Sequence, residues 1–300
     1  MTFLQFFRRG LARGLAGALL LATVSGVVDA RGTSSVWAMK GTKNTVYLAG
    51  SVHALPREHA ELPAQLERAY AASSEVVMEV DLDDMDPLEA VQFVTSRGTL
   101  PEGESLENVI GSDGYAKVSK LAGSLDVPEA VISKLEPWAA AMVLTQFALM
   151  KTGYDPQLGI DMQLAARAKA DGKPVDGLET VIDQLSIFDG RSLEEQKKFL
   201  LESADDAPLL TDDLRRLIAA WRAGNLAALE KELDKERATA PGLYDELLGV
   251  RNRKWLPKIE ALLDRDRDVL VVVGALHFVG HDGLIELLTK AGHKPVPLKQ

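Results

Sequence analysis

The chain contains no cysteine. That absence excludes disulfides, Cys-ligated zinc, iron–sulfur clusters and thiol nucleophiles together. Histidine is scarce too, with five in 300 residues, so any metal chemistry must draw on a few imidazoles and on carboxylates. Basic residues are in the minority: 34 Lys and Arg against 44 Asp and Glu give a formal net charge of −10. This balance speaks against a nucleic-acid partner, which requires Lys and Arg to displace phosphate counterions. Several catalytic signatures are also missing. There is no HExxH helix of a zincin-type protease, no G-x-S-x-G nucleophile elbow and no P-loop. What remains, 46% hydrophobic and 26% charged residues, is the composition of a globular protein with a substantial core.

The first thirty residues read as a targeting segment. Arg8, Arg9 and Arg13 form a positive start, and Gly14 to Val28 carries no charge. Val28 and Ala30 place small residues at the −3 and −1 positions of a signal-peptidase site. The apolar run is about 15 residues, shorter than the roughly 20 of a bilayer-spanning helix. The expectation is a cleaved signal peptide over 1–30 and a periplasmic or secreted product. Contact with a membrane would then come only through an uncleaved leader.

Beyond residue 30 two β-rich ends flank a long helical middle. Ser35–Lys40 and Thr45–Ala49 are apolar runs separated by Gly41-Thr42-Lys43-Asn44, a hairpin signal. Glu75–Val80 and Lys173–Leu178 read as further strands, and Asp268–Val273 (DVLVVV) as a buried strand of a parallel sheet. Helical periodicity covers 62–73, 86–150 with breaks that include Gly111–Gly114, 158–170, most of 192–263, and 283–291. The two ends are similar to each other. TVYLAGSVHAL and DVLVVVGALHFVG both run strand, Gly-x-x-His, short loop, helix, strand. The predicted architecture is one α/β domain over 31–300. Two βαβ-like units at the chain ends share a mixed or mostly parallel sheet, and a large helical insertion occupies about 82–260.

The chemistry is expected at the carboxyl ends of the strands, where ligands bind in open parallel sheets. His53 follows Gly50 by three residues and His277 follows Gly274 by three. One such motif is unremarkable as a loop histidine, but two in matching strand-end positions in a histidine-poor chain single these residues out. Glu79 ends a third strand, with Asp81 on the same side by alternation, and Glu179 follows a fourth. Two imidazoles and one or two carboxylates suit a divalent metal that lowers the pKa of a bound water. Arg251 is a candidate clamp for a substrate carboxylate or a developing oxyanion, or else part of an exposed basic run. Asp161 reads as a helix N-cap, with a supporting acid as the alternative. Trp138, after Glu136-Pro137, reads as a packed aromatic at a helix start. His59 and His281 read as solvated loop residues.

Taken in order, VYLAGSVH (46–53), VMEVD (77–81), LEPW (135–138), GID (159–161), GLET with Gln184 (177–184), RN (251–252) and VVGALHFVG (272–280) resemble the TraB/PrgY/GumN family, most closely its GumN-like bacterial branch. The resemblance spans nearly all of 31–300. It implies an erythromycin-esterase-like α/β fold. Through the related animal Tiki proteins it implies a protease dependent on a divalent ion such as Mn or Co, with Zn also compatible with the ligand types. Carried onto this chain, the metal ligands are His53, Glu79 and His277. Glu179 is then general base or supporting acid, and Arg251 orients a peptide or other small substrate. Family membership does not fix activity. Two rivals stand beside the metal-dependent peptidase: a peptide-binding regulator without turnover, and an esterase-like hydrolase that uses the histidines as acid and base without metal.

Overall fold

The computed structural model describes residues 34–81 and 86–299. The signal peptide expected over 1–30 lies outside the described residues. Six strands form one mixed sheet: β1 (Val36–Lys40), β2 (Thr45–Ser51), β3 (Glu75–Met78), β4 (Val175–Gly177), β5 (Val269–Gly274) and β6 (Val296–Pro297), in the order β4-β3-β5-β2-β1-β6. The four strands β4, β3, β5 and β2 run parallel, whereas β1 and β6 pair antiparallel at one side. The hairpin expected at Gly41–Asn44 is present, and the two Gly-x-x-His strands are immediate neighbours, with Gly50 opposite Val273 and Ser51 opposite Gly274.

The β5 residues explain why the sheet is central. Val269, Val271 and Val273 pack on one side with Trp37, Trp255 and Leu284, while Leu270 and Val272 pack on the other with Leu66, Trp138 and Trp221. Both faces are therefore covered, as strict period-2 alternation in a wholly apolar strand requires. The helices are α1 (Ala64–Ala72), α2 (Pro87–Arg97), α3 (Leu106–Ser124), α4 (Glu129–Ile132), α5 (Pro137–Lys151), α6 (Ile160–Asp171), α7 (Val181–Asp189), α8 (Leu193–Asp206), α9 (Leu210–Arg222), α10 (Leu226–Thr239), α11 (Pro241–Tyr244), α12 (Arg251–Leu262) and α13 (Leu284–Lys290). Helices α3, α5 and α8 close a separate apolar core through Val118, Leu144 and Leu200. No helix among the described residues is long and apolar enough to cross a membrane.

Local details depart from the sequence expectation where tertiary contacts decide. The break expected at Gly111–Gly114 is a kink at Gly111 alone, with φ 78° and ψ 161°, inside a helix that resumes at once. The strand expected over 173–178 is present as the shorter β4, which joins the outer edge of β3 from within the helical insertion. The last strand is short, Val296–Pro297, and beyond it the Leu298 N–H donates to the Val36 carbonyl at 2.9 Å.

Two backbone links place the first motif. Leu55 and Asp155 exchange N–H···O bonds of 3.3 and 3.0 Å, and the Ile160 N–H donates to the Val52 carbonyl at 3.0 Å. The start of α6 is thereby fixed against the loop that carries His53. Gly159 sits in that contact, and a Cβ there would overlap the His53 carbonyl. Gly159→Ala is expected to lower stability by about 1–3 kcal/mol through overpacking. Urea denaturation checks this, and an unchanged midpoint would contradict it.

Candidate functional site

The second Gly-x-x-His motif turns directly from β5 into a short 3-10 turn, Ala275–Phe278, so His277 is buried rather than displayed on a loop. Its surroundings come mostly from α12. Asn252 Nδ2 donates to the His277 carbonyl at 3.0 Å and to the Asp282 carbonyl at 2.8 Å. The amide oxygen of Asn252 therefore faces His277 Nδ1, at 2.7 Å, and must accept from it. Nδ1 thus carries the ring proton and Nε2 carries a lone pair. That lone pair lies 3.2 Å from Arg251 Nη1, which donates to it. Burial and the Arg251 charge outweigh the attraction of Glu79 and lower the His277 pKa to about 3, so the ring is neutral at ordinary pH. The 3.8 Å approach of His277 Nε2 to Glu79 Oε1 is accordingly not an ion pair there.

Arg251 is the hub. A π-helical turn, Asp245–Val250, runs into α12 just before it, an irregularity common at functional sites. Its side chain folds back so that Nη1 donates to the Leu247 carbonyl at 2.9 Å. Nη2 donates to Glu79 Oε2 and to Glu179 Oε1, both at 2.6 Å, and Nε donates to Glu179 Oε1 at 2.9 Å. With the contact to His277, all five guanidinium N–H donors are engaged. Trp255, one turn further along the same face of α12, lies under the guanidinium with its ring centre 4.5 Å away and donates from Nε1 to Glu179 Oε2 at 3.0 Å. Arg251 is therefore neither part of an exposed basic run nor provided with a spare donor for a substrate. Burial works against its charge, but the two carboxylates more than compensate and raise its pKa.

Glu79 stands where β3 ends. Its Oε1 accepts from the Gly274 backbone N–H at 2.7 Å, and its Oε2 accepts from Gln184 Nε2 at 3.1 Å as well as from Arg251. Burial alone would raise its pKa; Arg251, the histidines and the Gly274 N–H overcome that and hold it well below the usual carboxylate range. The glycine of the second motif is thus the backbone donor for this carboxylate. Glu179 follows β4, and the Glu179 N–H to Glu79 carbonyl bond of 2.9 Å continues the parallel ladder, so the two glutamates sit side by side. Gln184 is delivered by α7, whose start is fixed by the reciprocal Thr180–Asp183 capping box.

His53 occupies a different setting. Its Nδ1 is 2.8 Å from Asp161 Oδ2, and about a sixth of the side chain is exposed. Asp161 is therefore a partner of His53 and not the N-cap of α6, where Gly159 takes the cap position without a side-chain bond. Burial lowers the His53 pKa, but the charge and hydrogen bond of Asp161 outweigh it and leave it raised. His53, Asp161, Glu79, Gln184 and Ser51 line a cavity of about 80 Å³ at the strand ends. His277 is not among its walls; it lies behind Glu79 and Arg251. Asp81 is half-buried beside this site, and His59 and His281 are solvated as expected.

The implied metal can be tested against these donors. Both oxygens of Glu79 are taken, and the Nε2 lone pair of His277 receives a guanidinium N–H. Among the described residues no group of three or more His, Asp or Glu side chains is arranged to hold a metal ion. As they stand, His53, Glu79 and His277 do not fit a divalent ion, because a fixed cation already occupies the faces of two of them. Asp161, read from the sequence as a helix cap with a supporting acid as the alternative, completes the site together with Asn252, named only within the RN motif, and Trp255, which the sequence did not single out. The signal for Trp255 was only its i, i+4 spacing from Arg251.

Removing Arg251 would strand two buried carboxylates. Arg251→Ala is expected to cost about 3–5 kcal/mol of stability. Adding Glu79→Gln and Glu179→Gln to that variant should recover part of the loss. Denaturant titration of the variants tests this, and a near-neutral Arg251→Ala would contradict the hub role.

Comparison with known proteins places this geometry in a family. The chain is 26% identical to Uncharacterized protein YbaP of Escherichia coli (strain K12) over 253 residues, covering 81% of this chain and 87% of that one. It is 23% identical to Metalloprotease TIKI1 of Homo sapiens over an aligned stretch of 324 residues, covering 87% of this chain and 61% of the relative. Metalloprotease TIKI2 of Xenopus tropicalis is 23% identical over 311 residues, with 83% and 57% covered. No solved structure matches the chain. The TraB/PrgY/gumN family model matches residues 35–297, which takes in both Gly-x-x-His motifs, both glutamates and Arg251, and the chain belongs to that family.

Proposed function

We propose that this chain is a hydrolase acting on amide bonds of peptides, with its reacting centre in the cavity at the ends of β2 and β3. The observation that carries this reading is the His53–Asp161 pair at 2.8 Å, facing a cavity that also contains Glu79. An imidazole whose Nδ1–H is held by a carboxylate keeps its Nε2 as the basic nitrogen, the arrangement that makes histidine an effective general base. A raised pKa brings that base toward neutral pH, where proton transfer is most efficient. In the proposed step His53 Nε2 takes a proton from a water, the resulting hydroxide adds to the substrate carbonyl carbon, and the same proton passes to the leaving nitrogen as the C–N bond breaks. Asp161 holds the ring orientation and stabilises the imidazolium. Glu79 and Arg251 form the charged floor beneath this step and position the strand ends.

A second reading has its own support. The Tiki relatives carry the name metalloprotease, and a histidine backed by a carboxylate is a common form of metal ligand. Under that reading a divalent ion such as Mn, Co or Zn would generate the hydroxide nucleophile, held by His53, Glu79 and His277, with Glu179 as base. It requires Arg251 to withdraw from Glu79 and His277. A peptide-binding regulator without turnover is the third outcome.

A fluorogenic peptide library assayed with and without EDTA separates the three. The expected result is product formation that survives chelation, falls by at least about a hundredfold in His53→Ala, and falls less in Asp161→Asn. Activity that disappears with EDTA and returns with Mn or Co would overturn the metal-free step. Binding without product would favour the regulator.

A further inference from the structure

We propose that the cavity between α7, α8 and α11 is a recognition pocket for one aromatic or branched apolar residue of a peptide, held by its side chain and by its uncharged backbone amides. This cavity of about 210 Å³ shares no wall residue with the one at the strand ends. Trp138, Leu243 and the stacked pair Phe188 and Phe199, with ring centres 5.7 Å apart, give it an apolar lining. A dry apolar cavity of about 150 Å³ accommodates a benzene ring, so this one has room for a phenylalanine or leucine side chain. It is a neighbour of the reacting centre. Gln184, on the wall of the strand-end cavity, and Phe188, on the wall of this one, lie one turn apart on α7.

The polar atoms of the wall residues describe the rest of the ligand. A buried indole N–H ordinarily has a partner, yet Trp138 Nε1 has none among the described residues. Gln196 Nε2 donates to the Asp189 and Arg191 carbonyls, at 3.4 and 3.0 Å, which fixes the side-chain amide and leaves Oε1 without a donor. Arg191 Nε is likewise unpartnered among the described residues. Two donors and one acceptor, all buried, are costly to leave unsatisfied. A peptide backbone, with carbonyl oxygens that accept and an N–H that donates, supplies what they lack. Charge decides against an ionic ligand. Arg191 Nη1 pairs with Glu195 at 3.1 Å and Lys198 with Glu202 at 3.8 Å, so the four charged side chains of the wall pair off. Glu246 lies 3.7 Å from Arg191 Nη2, and no basic charge is left for an anion. That the apolar residue belongs to a peptide rests on the peptide-hydrolase reading; the pocket itself takes no part in the proposed hydrolytic step.

The test titrates N-acetyl-phenylalaninamide into the full 15N-labelled chain and follows the indole N–H signals. That of Trp138 is identified by its loss in Trp138→Phe, or by triple-resonance assignment if that chain does not fold. A saturable shift of the Trp138 signal is expected, with N-acetyl-glycinamide, which lacks the ring, binding at least about tenfold more weakly. N-acetyl-phenylalanine, with a free carboxylate, should bind no more tightly than its amide. Gly242 stands at the rim, where an added Cβ meets only Arg191 Nη1 at 3.4 Å and Glu195 Oε1 at 4.0 Å, so leucine is tolerated there. Gly242→Leu is expected to weaken binding by about tenfold through filling the mouth of the pocket. An unmoved Trp138 signal, equal binding of the glycine probe, tighter binding of the carboxylate, or native affinity in Gly242→Leu each overturns the pocket. The peptide assay distinguishes this failure from that of the hydrolase. Probe binding without cleavage of any peptide supports the pocket and removes the hydrolase, whereas cleavage without probe binding overturns the pocket alone.

Discussion

One buried guanidinium holds the centre together. Arg251 is almost wholly buried, and so are Glu79, Glu179 and His277 around it. None of these charges would be tolerated alone in the interior, where an unpaired ion is strongly destabilising. Together they use every guanidinium donor and tie α12 to the ends of β3, β4 and β5. Because the sheet interior is apolar on both faces, these strand ends are where the charges can meet. The charge cluster therefore fixes the relative positions of four elements that are far apart in sequence.

The same constraint separates the two Gly-x-x-His motifs. They occupy adjacent parallel strands one residue out of register, and a symmetric pair of ligands would be the simple inference. The chain after Gly274 instead folds inward, its N–H bound to Glu79, and buries His277 against Asn252 and Trp255 with a neutral ring. The chain after Gly50 folds outward, and α6 brings Asp161 to His53. One histidine becomes a fixed neutral acceptor for Arg251, and the other faces the cavity with a carboxylate behind it. On the proposed hydrolytic step, proton transfer falls to the first motif, while the second holds charge.

Much of this was legible in the sequence. The continuous Val-rich run of β5 identifies a central buried strand, and the internal similarity correctly puts the two units side by side in one sheet. Glu79, Glu179, His53, His277 and Arg251 were all singled out by strand-end position or by the resemblance to the TraB/PrgY/GumN family. What could not be read was which side chain neutralises which. Arg251 lies in a basic stretch with Arg253, Lys254 and Lys258, and composition gives no sign that it turns inward while Arg253 remains exposed. Asp161 fits the pattern of a helix cap in sequence, and only the docking of α6 on the His53 loop makes it a histidine partner. Long-range pairing of this kind depends on packing between distant segments, which local periodicity does not encode.

The buried cluster requires His277 to be a neutral imidazole that accepts from Arg251, and ring 15N NMR of the full chain observes that state directly. The predicted spectrum has a protonated Nδ1 and a bare Nε2 for His277 at neutral pH, unchanged by EDTA. A protonated Nε2, or an Nε2 signal shifted by a chelatable metal, would contradict the central role given to Arg251.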